Sequence, residues 1–280
     1  MAKDKYSIKD LRKDFPNDTA CLDFIFDGLH SRKCSCGGEY SLLDGRRQYQ
    51  CSKCRFQIAP TAGTIFHKSS TKLSLWFHAI FVFSTAKSGI SSSQLQSQIG
   101  VTYKTAWRIL SQLRKILGQE DKMLSGTVEV DAGYIGSKIH RKDGSWNSNK
   151  GKIMVAVERG GKLRAIVDID ESAEDFIRKN IAKESVLMTD AFKGYHSLTR
   201  DYPLYQVNHK KGEYAWDRVH INTVEGWFNH IKRSIRGTFK SVSRKHLQAY
   251  VDQFVWHYNN RHSDRQRFEE LLGAVLHVAK

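Results

Sequence analysis

The sequence predicts an α/β protein whose sheet-forming part is preceded by a small cysteine-held unit and a run of helices. Three observations predict it. Four of the five cysteines fall in two close pairs, Cys34-Ser35-Cys36 and Cys51-Ser52-Lys53-Cys54. From Leu73 to Leu117 the apolar residues recur at helical spacing. After Gly126 the pattern turns to short strand-like runs bounded by glycine turns and interleaved with helical stretches.

Residues 1–30 read as an N-terminal helical segment, with Cys21 in the apolar run Ala20 to Ile25 as a buried core residue. Residues 31–68 read as a zinc ribbon. Two close thiol pairs separated by a hairpin-length stretch suit a tetrahedral thiolate site for Zn2+, with Cys34, Cys36, Cys51 and Cys54 as ligands. Gly37-Gly38 follows the first pair, and Tyr40, Leu42, Tyr49 and Phe56 suit small strands around it. The first pair is C-x-C, tighter than the common C-x-x-C. Disulfides are the alternative, and they fit poorly because nothing in the sequence indicates secretion.

Residues 69–122 read as a helix-turn-helix-like DNA-binding region of three helices. Leu73 to Ala86 is strongly apolar, and Gly89 breaks it. Ser91-x-x-Gln94 resembles a capping box opening a short helix that Gly100 ends, and Thr102 caps the third. On that third helix Ala106, Ile109, Leu110, Leu113, Ile116 and Leu117 share one side, while Lys104, Arg108, Ser111 and Lys115 share the other. A glycine turn followed by a helix with a basic face is helix-turn-helix logic, the last helix entering the major groove. An ordinary helical hairpin with a solvated face fits the same pattern.

Residues 123–262 carry the sheet. Thr127 to Asp131 alternates as a strand that Ala132-Gly133 ends. Lys152 to Glu158 and Leu163 to Asp168 form a hairpin through Arg159-Gly160-Gly161. Ser172 to Ala182 is a helix, with the acids from Asp168 to Asp175 as its cap and first turn. Val186 to Asp190 is another strand, and a helix starts near Asn222. The polar stretch Ile139 to Asn149 reads as a loop without an assigned role, and residues 263–280 as a C-terminal tail.

The chain has 280 residues and 45 Lys and Arg against 29 Asp and Glu, a net charge of +16. That sum favours a polyanionic partner, nucleic acid first. The imbalance is local. From Gly45 through Gln119 there are eleven basic residues and no acid. From Gly226 through Val251 there are six, Lys232, Arg233, Arg236, Lys240, Arg244 and Lys245, again with no acid. Such stretches suit a surface neutralised by a phosphate backbone. The first residues lack the apolar run of a signal peptide, and Leu73 to Ala86 is too short and interrupted to span a bilayer. Both features point away from a secreted or membrane enzyme.

Three acids stand out. Asp131 and Asp190 end strands, and Glu225 lies on the late helix. Each has a plain structural alternative: a turn residue before Gly133, a cap for the residues after Asp190, the far member of an Asn222-x-x-Glu225 capping box. Together they suit a two-metal phosphoryl-transfer site, which needs several carboxylates converging on hard cations. On the late helix Val224, Trp227, Phe228, Ile231 and Ile235 share one side, and Glu225, Asn229, Lys232 and Arg236 the other. Glu225 and Lys232 are seven residues apart, nearly two turns, so both point the same way.

Three blocks occur in order: Val128-Glu129-Val130-Asp131-x-Gly133-Tyr134-Ile135-Gly136, then Thr189-Asp190-x-x-Lys193-Gly194-Tyr195, then Asn222-Thr223-Val224-Glu225-Gly226-Trp227-Phe228. With the basic run Ile231 to Thr238, and the stretch from Lys245 to Asn259-Asn260-Arg261, they resemble the DDE transposases of bacterial insertion sequences, most closely the ISXO-type family with an N-terminal zinc ribbon. The resemblance covers the chain from Phe15 to about Arg261, with Asp190 and Glu225 separated by 35 positions. Ala132 departs from it, standing where many relatives have Glu, as does the C-x-C pair.

The resemblance implies a ribonuclease-H-like mixed sheet flanked by helices. It implies Asp131, Asp190 and Glu225 as catalytic residues and ligands of two Mg2+ or Mn2+, and Lys232 in contact with DNA near the cut. Arg233 and Arg236 beside it, and Lys104, Arg108 and Lys115, complete the expected DNA-binding set. The implied reaction cuts at the element ends and joins the 3′-hydroxyl to target DNA without a covalent protein–DNA intermediate, which leaves Tyr134 structural. The implied partners are double-stranded DNA, as terminal inverted repeats and target, and further copies of the chain in a homodimer or larger synaptic assembly. A bacterial cytoplasmic, nucleoid-associated location follows. A non-catalytic zinc-ribbon and helix-turn-helix DNA-binding protein, and a structure-specific nuclease on the same core, are the competing readings.

Overall fold

The computed structural model describes residues 5–119, 121–136, 138–140, 146–148, 150–167, 172–191, 193–207 and 219–276. The chain divides into two compact units, one of Met1–Ala86, Ile90–Ile116 and Asn260–Lys280, the other of Lys87–Gly89 and Leu117–Asn259.

In the first unit, α1 (Ile8–Asp14) and α2 (Asp18–Leu29) precede a three-stranded antiparallel sheet of β1 (Tyr40–Leu42), β2 (Tyr49–Cys51) and β3 (Gln57–Ile58). Three helices follow, α3 (Leu73–Thr85), α4 (Ser92–Ile99) and α5 (Tyr103–Lys115). The small sheet rests on α2, where the Tyr49 ring lies 4.1 Å from that of Phe26 and the Tyr49 hydroxyl donates to Asp23 at 2.6 Å. Cys21 is fully buried, as its apolar run predicts. The segment after Asn260, read from sequence as a tail, forms the helix Asp264–Leu276, and Phe268 stacks on Tyr6 at 4.8 Å. The first residue of α3 follows Lys72, whose side chain makes no capping bond. Asp18 of α2 does that work, accepting from the Leu73 and Ser74 amides at 3.1 and 3.0 Å. Burial acts to raise the Asp18 carboxyl, and these hydrogen bonds together with Arg47 hold it below its ordinary value.

The second unit is built on β4 (Thr127–Ile135), with β5 (Lys138–His140) and β6 (Trp146–Ser148) paired as a separate antiparallel hairpin. This hairpin replaces part of the loop read over Ile139 to Asn149; the rest lies outside the described residues, as do Asp168 to Glu171. Then come β7 (Gly151–Glu158), β8 (Leu163–Val167), α6 (Ala173–Asn180), β9 (Val186–Asp190), a 3-10 helix (Lys193–Arg200) and β10 (Leu204–Val207). The last elements are α7 (Asn222–Ser234), a π-helical turn (Ile235–Phe239) and α8 (Arg244–Asn259). The sheet order is β10-β9-β4-β7-β8. β7 pairs antiparallel with both β4 and β8, and β9 pairs parallel with both β4 and β10.

Strand side chains alternate between two cores. Ile153, Val155 and Val157 of β7 pack with α7 and α8 on one face, and Met154 and Ala156 pack with α6 and Tyr195 on the other. On β4, Val128 and Val130 belong to the α6 face, which leaves Glu129, Asp131 and Gly133 on the α7 face. β4 runs through Ala132-Gly133 to Ile135, so that dipeptide is no turn and Asp131 sits mid-strand. Gly133 is required by packing: a Cβ there would meet the Phe228 ring at 2.8 Å.

β8 is an edge strand, and unpaired edge groups invite pairing with other chains. Here side-chain amides take the place of a sixth strand. The Asn259 amide accepts from Leu163 N at 2.7 Å and donates to Leu163 O at 3.1 Å. Gln119 does the same with Ala165, at 3.1 and 2.6 Å, and Gln248 accepts from Val167 N at 2.7 Å. No described helix is long and apolar enough to cross a membrane.

Gly133→Ala is expected to destabilise the protein by about 1–3 kcal/mol through overpacking against Phe228. The double variant with Phe228→Leu is expected to recover part of that loss in urea unfolding.

Candidate functional site

The register of the central strands brings two of the three acids together. β4 and β9 run parallel with Val130 opposite Thr189, so Asp131 and Asp190 occupy the next step on adjoining strands, about 4.8 Å apart in the sheet. Asp131 is partly buried, and its Oδ1 accepts from the Ala132 amide at 2.7 Å. Burial pushes the Asp131 carboxyl up to about 6; the Ala132 amide opposes this, the negative charges of Asp190 and Glu225 add to it, and Lys232 again opposes it. Residues 131, 190, 225 and 232 thus share one electrostatic neighbourhood. Burial, followed by the charges of Asp190 and Asp131, pushes the Tyr195 hydroxyl well above the ordinary tyrosine range.

Glu225 reaches this neighbourhood because α7 lies over β4 and β7, burying Val224, Trp227, Phe228 and Ile231. Asn222 is the first residue of α7 and Ile221 its N-cap, with no side-chain capping bond. The Asn222-x-x-Glu225 capping box read as an alternative is therefore not formed. Lys232 is exposed, and its Nζ stands 5.3 Å from the centre of the Phe228 ring.

Lys232 also lines a cleft of about 330 Å3, together with Tyr134, Lys150, Arg236, Lys240 and Val242, among others. Arg236 enters it from the π-helical turn, and Lys240 follows that turn with φ of 65°. Arg233 is exposed but does not line this cleft; its Nε donates to Asn229 O at 3.2 Å. Lys150, Lys240 and the 60% exposed Tyr134 were not singled out as binding residues from sequence. The acid-free run was the signal for Lys240, and nothing marked the other two.

In the first unit, α4 and α5 form as the caps dictate. Ser91 and Gln94 make a reciprocal capping box, Gly100 adopts the left-handed conformation at φ of 67°, and Thr102 caps α5. Lys104, Arg108 and Lys115 are exposed on α5 beside Tyr103 and Trp107, while Ala106, Ile109, Leu110 and Leu113 are buried.

The four thiols meet as their spacing suggests. The Sγ atoms of Cys34, Cys36, Cys51 and Cys54 all lie within 4.8 Å of one another, with Cys34 3.7 Å from Cys54 and Cys36 3.4 Å from Cys51. The Tyr40 hydroxyl donates to Cys34 Sγ at 3.4 Å, and that bond, followed by the Cys36 amide, lowers the Cys34 thiol to about 6. Gly38 has to be glycine because a Cβ would stand 2.6 Å from Cys51 Sγ. Four thiols on a small sheet, one held toward thiolate, suit a soft tetrahedral cation such as Zn2+. Among the described residues, this is the one group of three or more such ligand atoms drawn together in this way.

A residue that sequence reasoning quoted only as part of a motif proves central. Glu129 is fully buried on β4, two positions before Asp131 and on the same face. Its Oε1 accepts from Arg159 Nε at 2.7 Å and Thr223 Oγ1 at 2.9 Å, and its Oε2 from the Thr223 and Val224 amides at 2.7 and 3.2 Å. The signal was a charged residue at an inward position of an apolar strand.

Residues 123–259 match the family described as ISXO2-like transposase domain. The chain is 28% identical over 254 residues to an uncharacterized protein in transposable element ISH50 of Halobacterium salinarum, covering 83% of this chain and 84% of that one. It is 27% identical over 85 residues to an uncharacterized transposase-like protein of Haemophilus influenzae, covering 30% of this chain and 68% of that one.

A carboxyl raised by folding costs stability once it ionises. Below the unfolded value near 3.8 both states are protonated and there is no cost; the cost grows as pH rises through about 6. Without added metal, Asp131→Asn is therefore expected to be more stable than wild type at pH 7.5 by about 1–3 kcal/mol, the gap closing below pH 4. Urea unfolding across pH measures this.

Proposed function

We propose that the protein, whose residues 123–259 match the family described as ISXO2-like transposase domain, is a DNA transposase that cuts at the ends of its element and joins the freed 3′-hydroxyl to target DNA. The observation that carries the reading is that the parallel register of β4 and β9 sets Asp131 next to Asp190 while α7, packed over β4, carries Glu225 and Lys232. The sheet order, with an antiparallel arm on one side of β4 and a parallel pair on the other, supports a ribonuclease-H-like core.

The donor set fits hard divalent cations. Three carboxylates offer oxygen ligands and more negative charge than Lys232 offsets, and folding has raised Asp131 rather than relieved it. Asp131, Asp190 and Glu225 would hold Mg2+ or Mn2+. When bound, two such ions lower the pKa of an attacking water and offset charge developing on the phosphate. Asp131 and Asp190 would offer their oxygens from adjoining strands, and Glu225 from α7. Lys232 and Arg236 orient the backbone phosphate next to the acids, with Lys150 and Lys240 along the same cleft. In the first step a water oxygen bonds to phosphorus as the P–O3′ bond breaks, leaving a 5′-phosphate and a 3′-hydroxyl. In the second that hydroxyl oxygen, losing its proton, bonds to a target phosphorus as the target's own P–O3′ bond breaks, and the departing O3′ takes up a proton as a new 3′-hydroxyl. Arg233 contacts the backbone outside the cleft.

Lys104, Arg108 and Lys115 of α5 face the element ends in the major groove, as a helix-turn-helix would, and the four cysteines hold a structural Zn2+. Two ends held together require a homodimer or larger assembly. The residue boundaries of this reading are the ribbon at 31–68, the helix-turn-helix-like region at 69–122 and the catalytic part at 123–262.

The decisive test is nicking of cognate element ends with Mg2+ or Mn2+. Asp131→Asn and Glu225→Gln are expected to lose about 100-fold or more in rate while still binding the ends in a filter assay. If both cut as wild type does, the acids are misassigned; if wild type binds without ever cutting, the chain is a DNA-binding protein alone. A second expectation concerns zinc. Chelation in the full chain should abolish amide protection over residues 34–58 and leave that of β4 and β7 intact in hydrogen exchange.

A further inference from the structure

We propose that Glu129 is the positioning residue of the site, a carboxylate that caps α7 from the central strand and so sets Glu225 and Lys232 against Asp131. The inference rests on the reading of Asp131, Asp190 and Glu225 as the metal-binding acids, and it adds a residue that touches none of the reacting atoms.

The geometry is specific. The first amides of a helix have no partner inside it, and α7 begins after Ile221, which offers no side-chain acceptor. The Thr223 and Val224 amides point instead to Glu129 Oε2, at 2.7 and 3.2 Å. The Thr223 hydroxyl adds a bond to Oε1 at 2.9 Å. A carboxylate at this end also meets the positive pole of the helix dipole. Glu129 has no exposed surface, and a buried charge is costly unless it is paired and hydrogen-bonded. Arg159 supplies the pairing from the β7–β8 turn, with Nε 2.7 Å from Oε1, while its other nitrogen donates to the His220 carbonyl at 2.7 Å just before α7. His220 Nδ1 stands 3.3 Å from the same Oε1. Strand, turn and helix start are therefore tied at one point.

That point is well placed. Glu129 and Asp131 are alternate residues of one strand and face the same helix. Gly133, the next residue on that face, lets Phe228 approach. Three successive inward positions of β4 thus fix the start of α7, meet its acid and seat its middle. Glu225 lies one residue after the clamped Val224 amide, so a shift or tilt at the helix start moves Glu225 and, two turns on, Lys232.

The test reads Mn2+ binding to the full-length chain by electron paramagnetic resonance, alongside the urea midpoint. Glu225→Gln and Asp131→Asn first establish the site: if both bind Mn2+ as wild type does, the reading of the acids fails whatever Glu129 does. Given their loss, Glu129→Gln is expected to weaken Mn2+ binding by about 10- to 100-fold and to speed hydrogen exchange at the Thr223 and Val224 amides. Asn259→Ala, which loosens the far edge of the same sheet, is expected to lower the urea midpoint with Mn2+ affinity unchanged. Wild-type affinity in Glu129→Gln, or an equal loss in Asn259→Ala, overturns the proposal. If Glu129→Gln does not fold, Thr223→Val decides, because it removes only the hydroxyl bond to Glu129: several-fold weaker Mn2+ binding supports the clamp, and unchanged binding overturns it.

Discussion

One buried carboxylate governs how the second unit is assembled. Glu129 is an acid with no exposed surface, and each of its oxygens accepts hydrogen bonds from two donors. Those donors come from the strand-turn arginine and from the first turn of α7. Satisfying the charge and placing the helix are the same event. The first unit uses the same device in Asp18, which accepts from the first amides of α3 across more than fifty residues of chain. In both cases the residue before the helix, Lys72 or Ile221, makes no capping bond of its own.

The remaining constraints are steric and hydrogen-bonding ones that hold a flat acid-bearing surface in place. Gly133 permits the approach of Phe228, and Trp227 and Ile231 seal α7 onto β7. At the opposite edge, Asn259, Gln119 and Gln248 present amides that imitate a neighbouring strand along Leu163, Ala165 and Val167. Gln119 and Gln248 are held in turn by Asp252, at 2.8 Å each, and burial raises that carboxyl despite both bonds. The Asn259 of the Asn259-Asn260-Arg261 block thereby has a structural reason for its place. On this scaffold Lys232, Arg236 and Lys240 of the acid-free run line one cleft.

Legibility in the sequence followed the range of the interaction. The Ser91–Gln94 capping box, the Gly100 cap, the Thr102 cap, the Ser172 cap and the β7–β8 hairpin all depend on residues within a few positions of one another, and each forms as read. The cysteine cluster was legible because its two pairs are short-range and only one hairpin apart. Asp131 and Gly133 were misread as a strand end and a turn, because a glycine in an apolar strand looks the same whether it bends the chain or admits a ring from a distant helix. The Asn222 capping box failed for a related reason: a better acceptor arrived from ninety-four positions away. The helix Asp264–Leu276 was legible and passed over as a tail, since Phe268, Leu271, Leu272, Val275 and Leu276 recur at helical spacing and are among the residues it buries. The β5–β6 hairpin falls in a stretch read as a polar loop and is defined by its antiparallel pairing.

By itself, the sequence determined which residues are candidates for chemistry: the four thiols, the three acids, the basic helix faces and the motif blocks that resemble those of transposases. These are matters of residue type and local spacing. Only the tertiary structure decided which partners those residues meet. It set Asp131 beside Asp190 through parallel register, brought α7 over them and assigned Glu129 rather than Asn222 to hold it there. A carboxylate is the same in any sequence, and whether it caps, pairs or binds depends on donors supplied by distant chain, which only folding brings within hydrogen-bond reach.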